Sequence, residues 1–140
     1  AEAYPITPLE LASMNYVHEL EADAFQSVFD RMHAADWGIE NKLDDCFSLT
    51  KKKMFFQEID DLEAFDLIYF DAFGYRVQPE LWSTDIFRKM FNALKNNGVL
   101  VTYAARGVVK RSMITVGFTV EKLAGPPGKR EMFRAKKQVF

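Results

Sequence analysis

The sequence predicts a three-layer α/β fold whose mostly parallel sheet ends in an antiparallel hairpin. Residues 67–70 and 99–103 are uninterrupted runs rich in β-favouring side chains, as strands buried on both faces of a sheet are. Helical patterns, with apolar residues three or four positions apart, separate the strand patterns. Residues 125–128, Gly-Pro-Pro-Gly, form a turn too short for a crossover, so the two strands that it joins are expected to pair antiparallel.

The N-terminal part of the chain is predicted to be helical. Thr7 suits the N-cap, Pro8 suits the first helical position, and Glu10 completes a capping box. The apolar face that follows predicts a helix to about residue 20. A second helix is expected over residues 23–34.

A loop and a strand are expected next. Residues 36–41 have the composition of a loop, and residues 47–56 are expected to form a strand. Three lysines at 51–53 interrupt it. They favour an edge strand protected against unwanted pairing, with a phosphate contact as the alternative interpretation.

The rest of the chain alternates strand and helix patterns. Ser83 or Thr84 is the expected cap of a helix that runs to about Lys95 and ends at Asn96-Asn97-Gly98. The later expected elements are a helix over 107–116, ended by Gly117, and strands over 118–123 and 129–139. No linker or repeat interrupts the pattern, so 140 residues predict one domain, residues 1–140.

Composition narrows the function classes. Hydrophobic residues make up 49% and aromatic residues 14%, which argues against disorder. A formal charge of -2 gives no global signal for nucleic acid, so such a partner would need a local basic patch. Cys46 is the one cysteine, which excludes an internal disulfide, fits a reducing cytoplasm, and with two histidines predicts no metal site. No apolar run predicts a membrane span.

Asp71 is the first candidate functional residue. It stands where the apolar run of residues 67–70 stops. Ligands in open α/β sheets bind at the carboxyl ends of strands, so a carboxylate there is a candidate for chemistry. The alternative is that Asp71 braces the following loop, as aspartate often does.

Four blocks carry a resemblance to a known family. They are Asp71-Ala72-Phe73, Pro79-Glu80-Leu81-Trp82, Thr102-Tyr103, and residues 125–132, Gly-Pro-Pro-Gly-Lys-Arg-Glu-Met. Together they resemble the MnmC-like methyltransferases, which are S-adenosylmethionine-dependent and related to the bacterial enzyme that modifies tRNA wobble uridine. The resemblance covers nearly the whole chain. It implies a Rossmann-like methyltransferase sheet of seven strands, with the last one antiparallel.

Measured against that family, the chain is expected to lack the first strand, the Gly-rich loop and the first helix. It begins Ala1-Glu2 without Met, near what reads as the end of a strand, and is interpreted as a fragment of a longer chain. The resemblance implies that Glu2 holds the ribose hydroxyls of the cofactor and that Tyr4 lies beside the adenine. Gln57 or Glu58 is the expected neighbour of the adenine amino group. Asp71 and Ala72 complete the implied cofactor contacts.

The implied reaction is attack of an amine on the sulfonium methyl carbon, the amine being the aminomethyl group of a wobble uridine. A carboxylate is too weak a base to deprotonate an alkyl ammonium at neutral pH. Asp71 is therefore expected to orient the amine and to stabilise positive charge on its nitrogen. Phe73 and Tyr75 are expected to contact the base. Trp82 is interpreted as core, with a stacking role as the alternative.

Basic residues are expected to supply a local patch for tRNA. Lys129 and Arg130 lie inside a family block, so they are the favoured substrate contacts. Lys110 and Arg111 are equally compatible with ordinary surface charge.

Two other interpretations stay open. The chain alone is expected to be inactive, and it could be a non-catalytic fragment that binds RNA or a protein partner. The other is a nicotinamide-dependent dehydrogenase, because in such enzymes an acidic residue at the end of the second strand also binds the ribose of the cofactor. A fused or partner oxidoreductase domain is compatible with the resemblance. Self-association through an exposed sheet edge, or disorder near the N-terminus, is expected of the fragment.

Overall fold

The computed structural model describes residues 1–138, and the chain divides into two compact units, residues 1–56 and residues 57–140. The first unit holds three short helices and a small hairpin. The second holds a four-stranded sheet and two helices. The expectation of a single domain stays a prediction.

The helices of the first unit are α1 (Pro8–Ala12), α2 (Tyr16–Glu19) and α3 (Gln26–Ala34), the last preceded by a 3₁₀ turn (Asp23–Phe25). The predicted capping box is confirmed, because Thr7 and Glu10 cap each other in both directions. These hydrogen bonds from the Thr7 backbone and hydroxyl lower the pKa of Glu10. The predicted second helix is confirmed in α3 and its 3₁₀ turn.

The prediction of one helix to about residue 20 is wrong, because α1 ends at Ala12. The Ser13 hydroxyl donates to the Glu10 carbonyl at 2.7 Å, and the Ser13 backbone N–H turns to the same carbonyl at 3.1 Å. Serine competes in this way with regular helical bonding. A new helix begins only at Tyr16.

The strands of the first unit are β1 (Glu40–Lys42) and β2 (Ser48–Thr50), which pair antiparallel. The predicted loop over 36–41 therefore ends in a strand, and the predicted strand over 47–56 is only three residues long. Beyond it, Lys51 and Lys53 form isolated parallel bridges to Trp37 and Glu2. The Lys51 ammonium donates to the His33 carbonyl at 2.7 Å and lies 4.9 Å from the Trp37 ring centroid, so this lysine is not a solvated edge charge.

The second unit is built on one mixed sheet with strand order β3-β4-β6-β5. Its elements are β3 (Phe65–Tyr69), α4 (Thr84–Ala93), β4 (Leu94–Thr102), α5 (Gly107–Thr115), β5 (Phe118–Ala124) and β6 (Glu131–Lys137), with a 3₁₀ turn at Pro79–Trp82. Another 3₁₀ turn, Phe56–Glu58, begins at the last residue of the first unit. β3 and β4 pair parallel, and β6 pairs antiparallel with both β4 and β5. The predicted α/β class and terminal hairpin are confirmed. Val139, the predicted end of the last strand, lies outside the described residues.

The core of this unit lies where α4 and α5 cover the sheet. Its largest fully buried side chains are Phe87, Leu94, Leu100, Val109, Met113 and Phe133. The predicted cap is confirmed, since the Ser83 hydroxyl accepts from the Ile86 backbone N–H. α4 ends at Ala93, two residues earlier than predicted, and Asn97 takes the expected left-handed conformation with φ 66° inside β4.

The prediction that the strand of residues 67–70 is buried on both faces is wrong for most of its length. Leu67 is 45% exposed and Tyr69 is 78% exposed, whereas Phe70 is buried. The reason is position, because β3 is the edge of the sheet and pairs with β4 alone among the described strands. β4 fits the prediction better, with Leu100 and Thr102 buried.

Candidate active site

A cavity of about 380 Å³ opens where β3 and β4 end. Its lining comes from the loop after β3, from the segment between β4 and α5, and from the β5–β6 turn. The lining residues are Asp71, Ala72, Gly74, Tyr75, Arg76, Trp82, Tyr103, Ala104, Arg106 and Lys129. This is the edge of a parallel strand pair at which α/β proteins bind ligands.

Asp71 is held at the cavity by the residue before it. The Phe70 backbone N–H donates to the Val101 carbonyl at 2.9 Å, which continues the parallel pairing past β3. The Phe70 ring is buried against Trp82 and Phe87, with ring centroids 5.2 and 5.3 Å away. Asp71 itself is exposed, so its carboxylate is available to a ligand.

Trp82 fixes the loop that follows Asp71. The side chain is only 2% exposed, and its indole N–H donates to the Phe73 carbonyl at 2.8 Å. The Gly74 carbonyl accepts from the backbone N–H groups of Val77 and Gln78 at 2.8 and 3.2 Å. Trp82 is thus a core residue, as interpreted from the sequence, and at the same time part of the cavity wall.

Three cations face the same cavity as the Asp71 carboxylate. Arg76, Arg106 and Lys129 come from three separate segments, and within residues 1–138 none of them forms an ion pair. The Arg106 guanidinium lies 5.2 Å from the Tyr75 ring centroid, which is within cation–π range. The cavity therefore combines one carboxylate, the half-buried ring of Tyr75, the exposed ring of Tyr103 and a surplus of positive charge.

Lys129 is carried by a tight turn. The Lys129 backbone N–H donates to the Pro126 carbonyl at 2.9 Å, and the Gly125 N–H donates to the Arg130 carbonyl at 3.1 Å. Beside the turn, Arg134 pairs with Glu121 across β5 and β6, which lowers the pKa of that carboxyl. The hairpin thus holds the turn in a fixed register.

The structure brings together some of the residues predicted for the site. Asp71, Ala72, Tyr75 and Lys129 line the cavity, as does Trp82. Phe73 contributes its carbonyl to the loop, but its side chain is 68% exposed and does not line the cavity; Arg130 and Glu58 do not line it either. Their roles stay predictions.

Sequence reasoning missed Arg76, Arg106 and the lining role of Tyr103. Tyr103 and Arg106 follow β4, whose end meets that of β3 because the two strands are parallel neighbours. The expected parallel pairing of the two strands could therefore have indicated that Tyr103 and Arg106 lie near Asp71. Arg76 and Arg106 belong to no recognisable sequence motif.

Glu2 and Tyr4 belong to the first unit. The Glu2 backbone donates to the Lys52 carbonyl at 2.9 Å and accepts from the Met54 N–H at 3.2 Å, as in parallel pairing. Its carboxylate accepts from the Tyr4 backbone N–H at 2.8 Å. The Tyr4 ring is 71% exposed and meets Phe55 edge-on at 5.8 Å. The predicted ribose contact of Glu2 and the predicted adenine contact of Tyr4 stay predictions.

A family model described as S-adenosyl-L-methionine-dependent methyltransferase matches residues 24–138. The chain belongs to this methyltransferase family. The match includes all the residues of the second unit's sheet and the whole lining of the cavity. The resemblance seen in the sequence is therefore confirmed, and the dehydrogenase interpretation is set aside.

Curated relatives share one printed name, tRNA 5-methylaminomethyl-2-thiouridine biosynthesis bifunctional protein MnmC. The protein from Actinobacillus pleuropneumoniae serotype 5b is 36% identical over 72 residues, which are 51% of this chain and 11% of that protein. The protein from Hydrogenovibrio crunogenus is 28% identical over 137 residues, which are 94% of this chain and 20% of that protein. The chain thus spans a fifth or less of the length of these two relatives.

Two solved structures resemble the chain. MNMC2 from Aquifex aeolicus has a TM-score of 0.50 at 26% identity, and the match covers 57% of this chain and 25% of that one. A possible exported protein from Bordetella parapertussis has a TM-score of 0.52 at 14% identity, covering 64% of this chain and 44% of that one, and supports the fold alone. In residues 1–138 no helix has the length and apolar character that a bilayer crossing requires.

The family's cofactor is S-adenosylmethionine, and the cavity offers its positively charged sulfonium one carboxylate, Asp71. A sulfonium is a cation, so the Asp71 carboxylate and the rings of Tyr75 and Tyr103 suit it. A volume of about 380 Å³ also lies within the range of small-molecule sites. These residues are the candidates to hold the methyl-donating end of the cofactor.

Proposed function

We propose that the full-length protein methylates the aminomethyl nitrogen of a tRNA wobble uridine, with S-adenosylmethionine as methyl donor. The observation that carries this proposal is the cavity itself. One carboxylate, Asp71, shares it with three cations and with the side chains of two tyrosines, Tyr75 and Tyr103. The printed name of the relatives, which concerns tRNA 5-methylaminomethyl-2-thiouridine biosynthesis, supports the choice of substrate.

Asp71 would act on the amine. When bound, the cofactor supplies an electrophilic methyl group. The amine must lose a proton to present its lone pair, and because a carboxylate is far less basic than an alkyl amine, that proton goes to water. Asp71 would orient the neutral amine and would stabilise the positive charge that develops on its nitrogen during transfer of the methyl group from sulfur to nitrogen.

The remaining predicted contacts complete the proposal. Glu2 would accept hydrogen bonds from the vicinal ribose hydroxyls, as a carboxylate can, with Tyr4 and Glu58 near the adenine and Ala72 beside the cofactor. Phe73 and Tyr75 would contact the uridine base. Lys129 and Arg130 would contact tRNA phosphates, which supplies locally the positive charge that the chain as a whole lacks.

The proposal is tested by assaying Asp71→Asn in the full-length protein with unmodified and aminomethyl-bearing tRNA. Asparagine keeps the shape and removes the charge. We expect kcat to fall about 100-fold, since charge stabilisation at the reacting atom is lost, with KM for the cofactor changed less. Arg88→Ala, an exposed change on α4 outside the cavity lining, is the matched control. An unchanged kcat in Asp71→Asn would contradict the role assigned to Asp71. If the protein without substitutions transferred no methyl group to either tRNA, the proposed substrate would be wrong.

The relatives are named bifunctional, so we propose that an oxidoreductase domain acts with this one, fused to it or as a partner, in the cytoplasm, where tRNA is modified. Calorimetry of S-adenosylmethionine binding tests the other interpretation, a non-catalytic fragment. We expect the full-length protein to bind and residues 1–140 alone not to bind. Binding by neither would favour the non-catalytic interpretation.

A further inference from the structure

Arg106 occupies a fixed place at the cavity. It is the N-cap residue of α5, and its backbone N–H donates to the Ala104 carbonyl at 2.8 Å. The Ala104 N–H in turn donates to the hydroxyl of Thr102, a residue only 3% exposed at the end of β4. The backbone that carries Arg106 is therefore anchored to the buried sheet, although its side chain is exposed.

The Arg106 side chain lies over an aromatic wall of the cavity. Its guanidinium carbon is 5.2 Å from the centroid of the Tyr75 ring. A guanidinium that interacts with a ring in this way keeps its N–H donors free for an anion. Tyr75 gains a preferred orientation from the contact, although it stands on a loop.

The surroundings of Arg106 lack a matching anion. Arg76 and Lys129 line the same cavity, and Asp71 is the one carboxylate among its lining residues. None of the three cations forms an ion pair within the described part of the chain. Gathering like charges costs free energy, and an anionic ligand offsets that cost.

We propose that Arg106 binds a backbone phosphate of the substrate RNA and at the same time orients the Tyr75 ring as a stacking surface for the base. This inference rests on the proposed function for the substrate class. Phosphate contacts set the position of a nucleic acid, and aromatic rings hold an unstacked base. Joining both tasks in one pair would couple the placement of the phosphate to that of the base.

The experiment measures tRNA binding by fluorescence anisotropy in the full-length protein, over a series of salt concentrations and without methyl transfer. For Arg106→Ala we expect the Kd to rise about tenfold and the slope of log affinity against log salt to fall by about one, as the loss of one phosphate contact requires. Arg106→Lys should keep the salt slope and recover part of the affinity, since it retains the charge but not the planar group. Arg88→Ala on α4 is the control and should match the unmodified protein.

A double-mutant cycle tests the link to Tyr75. Tyr75→Leu should bind tRNA more weakly, because the ring proposed to stack on the base is lost. The effects of Tyr75→Leu and Arg106→Ala should be non-additive. Additive effects would overturn the orienting role, and circular dichroism of each variant separates these outcomes from misfolding.

Other outcomes also decide between the possibilities. If Arg106→Ala leaves the Kd for tRNA and the salt slope unchanged, the phosphate contact is overturned. If that variant also raises the KM for S-adenosylmethionine, Arg106 is assigned to the cofactor carboxylate instead. If the unmodified protein binds no tRNA, both the inference and the proposed function fail. If it binds tRNA with the expected Arg106 dependence but transfers no methyl group, only the proposed function fails.

Discussion

At the scale of single residues, Trp82 links the core of the second unit to the active-site loop. Its ring is buried against Phe70 and Phe87, and its N–H holds the Phe73 carbonyl at 2.8 Å. Trp82 thus packs against Phe70, the residue before Asp71, and also binds the loop that follows Asp71. Stability and site geometry depend on one side chain here.

Trp82→Phe should therefore lower both stability and activity. The change removes the hydrogen bond to the Phe73 carbonyl and reduces the buried ring volume, which should lower the free energy of unfolding by about 1–3 kcal/mol. Urea unfolding measures this loss. Because the loop is released, kcat should fall as well. Trp37→Phe, a partly exposed change in the first unit, is the control, and equal stability of Trp82→Phe and the unmodified protein would contradict the assigned link.

Residue-level reasoning predicted what local chemistry determines. The capping box of Thr7 and Glu10 and the position of Asp71 at a strand end depend on neighbours in the sequence, whereas the role of Asp71 stays a prediction. Arg106 could not be found in this way, because its partner Tyr75 lies 31 residues earlier (106 − 75) on another segment. A pair of this kind is created only when parallel strands bring their ends together.

At the scale of elements, the same limit applies to strands. β1 was missed because Glu40–Lys42 is polar throughout, so its sequence has no apolar alternation. β3 was predicted to be fully buried because its composition is apolar, yet burial depends on which strands lie beside it. The hairpin of β5 and β6 was predicted correctly, since a short turn permits only antiparallel pairing.

The β5–β6 turn leads to a prediction about glycine. A Cβ added at Gly125 would meet the Lys129 carbonyl oxygen at 2.5 Å and the Glu131 nitrogen at 2.9 Å. Gly125→Ala must therefore displace the backbone that carries Lys129. We expect the free energy of unfolding to fall by about 1–3 kcal/mol and tRNA affinity to fall with it. Chemical denaturation and anisotropy measure the two effects.

Gly107→Ala is the matched control for the turn. Its added Cβ would lie 3.5 Å from an Arg111 side-chain nitrogen, an ordinary contact distance. Alanine also favours the helical conformation at this first residue of α5, so stability should be unchanged or slightly higher. If Gly125→Ala proved as stable as Gly107→Ala, the packing of the turn would differ from that described.

At the scale of the whole molecule, the exposed side of β3 sets the expected behaviour of residues 1–140 in isolation. Leu67 and Tyr69 are exposed on a strand that pairs on one side only within the described residues. An open edge with apolar side chains is a template for further pairing. The self-association expected from the sequence is thus assigned to a specific surface, the exposed edge of β3.

We expect residues 1–140 to associate reversibly as concentration rises in sedimentation velocity experiments. Tyr69→Lys should weaken this association, because a charge on an edge strand opposes strand addition. Tyr16→Lys, an exposed aromatic change on α2 in the first unit, is the control and should leave it unchanged. A monomer at every concentration would show that the edge is not a pairing surface, and association that Tyr69→Lys leaves intact would place the contact elsewhere. If the edge is covered in the full-length protein, that protein should sediment independently of concentration. The comparison distinguishes a property of residues 1–140 from a property of the whole enzyme.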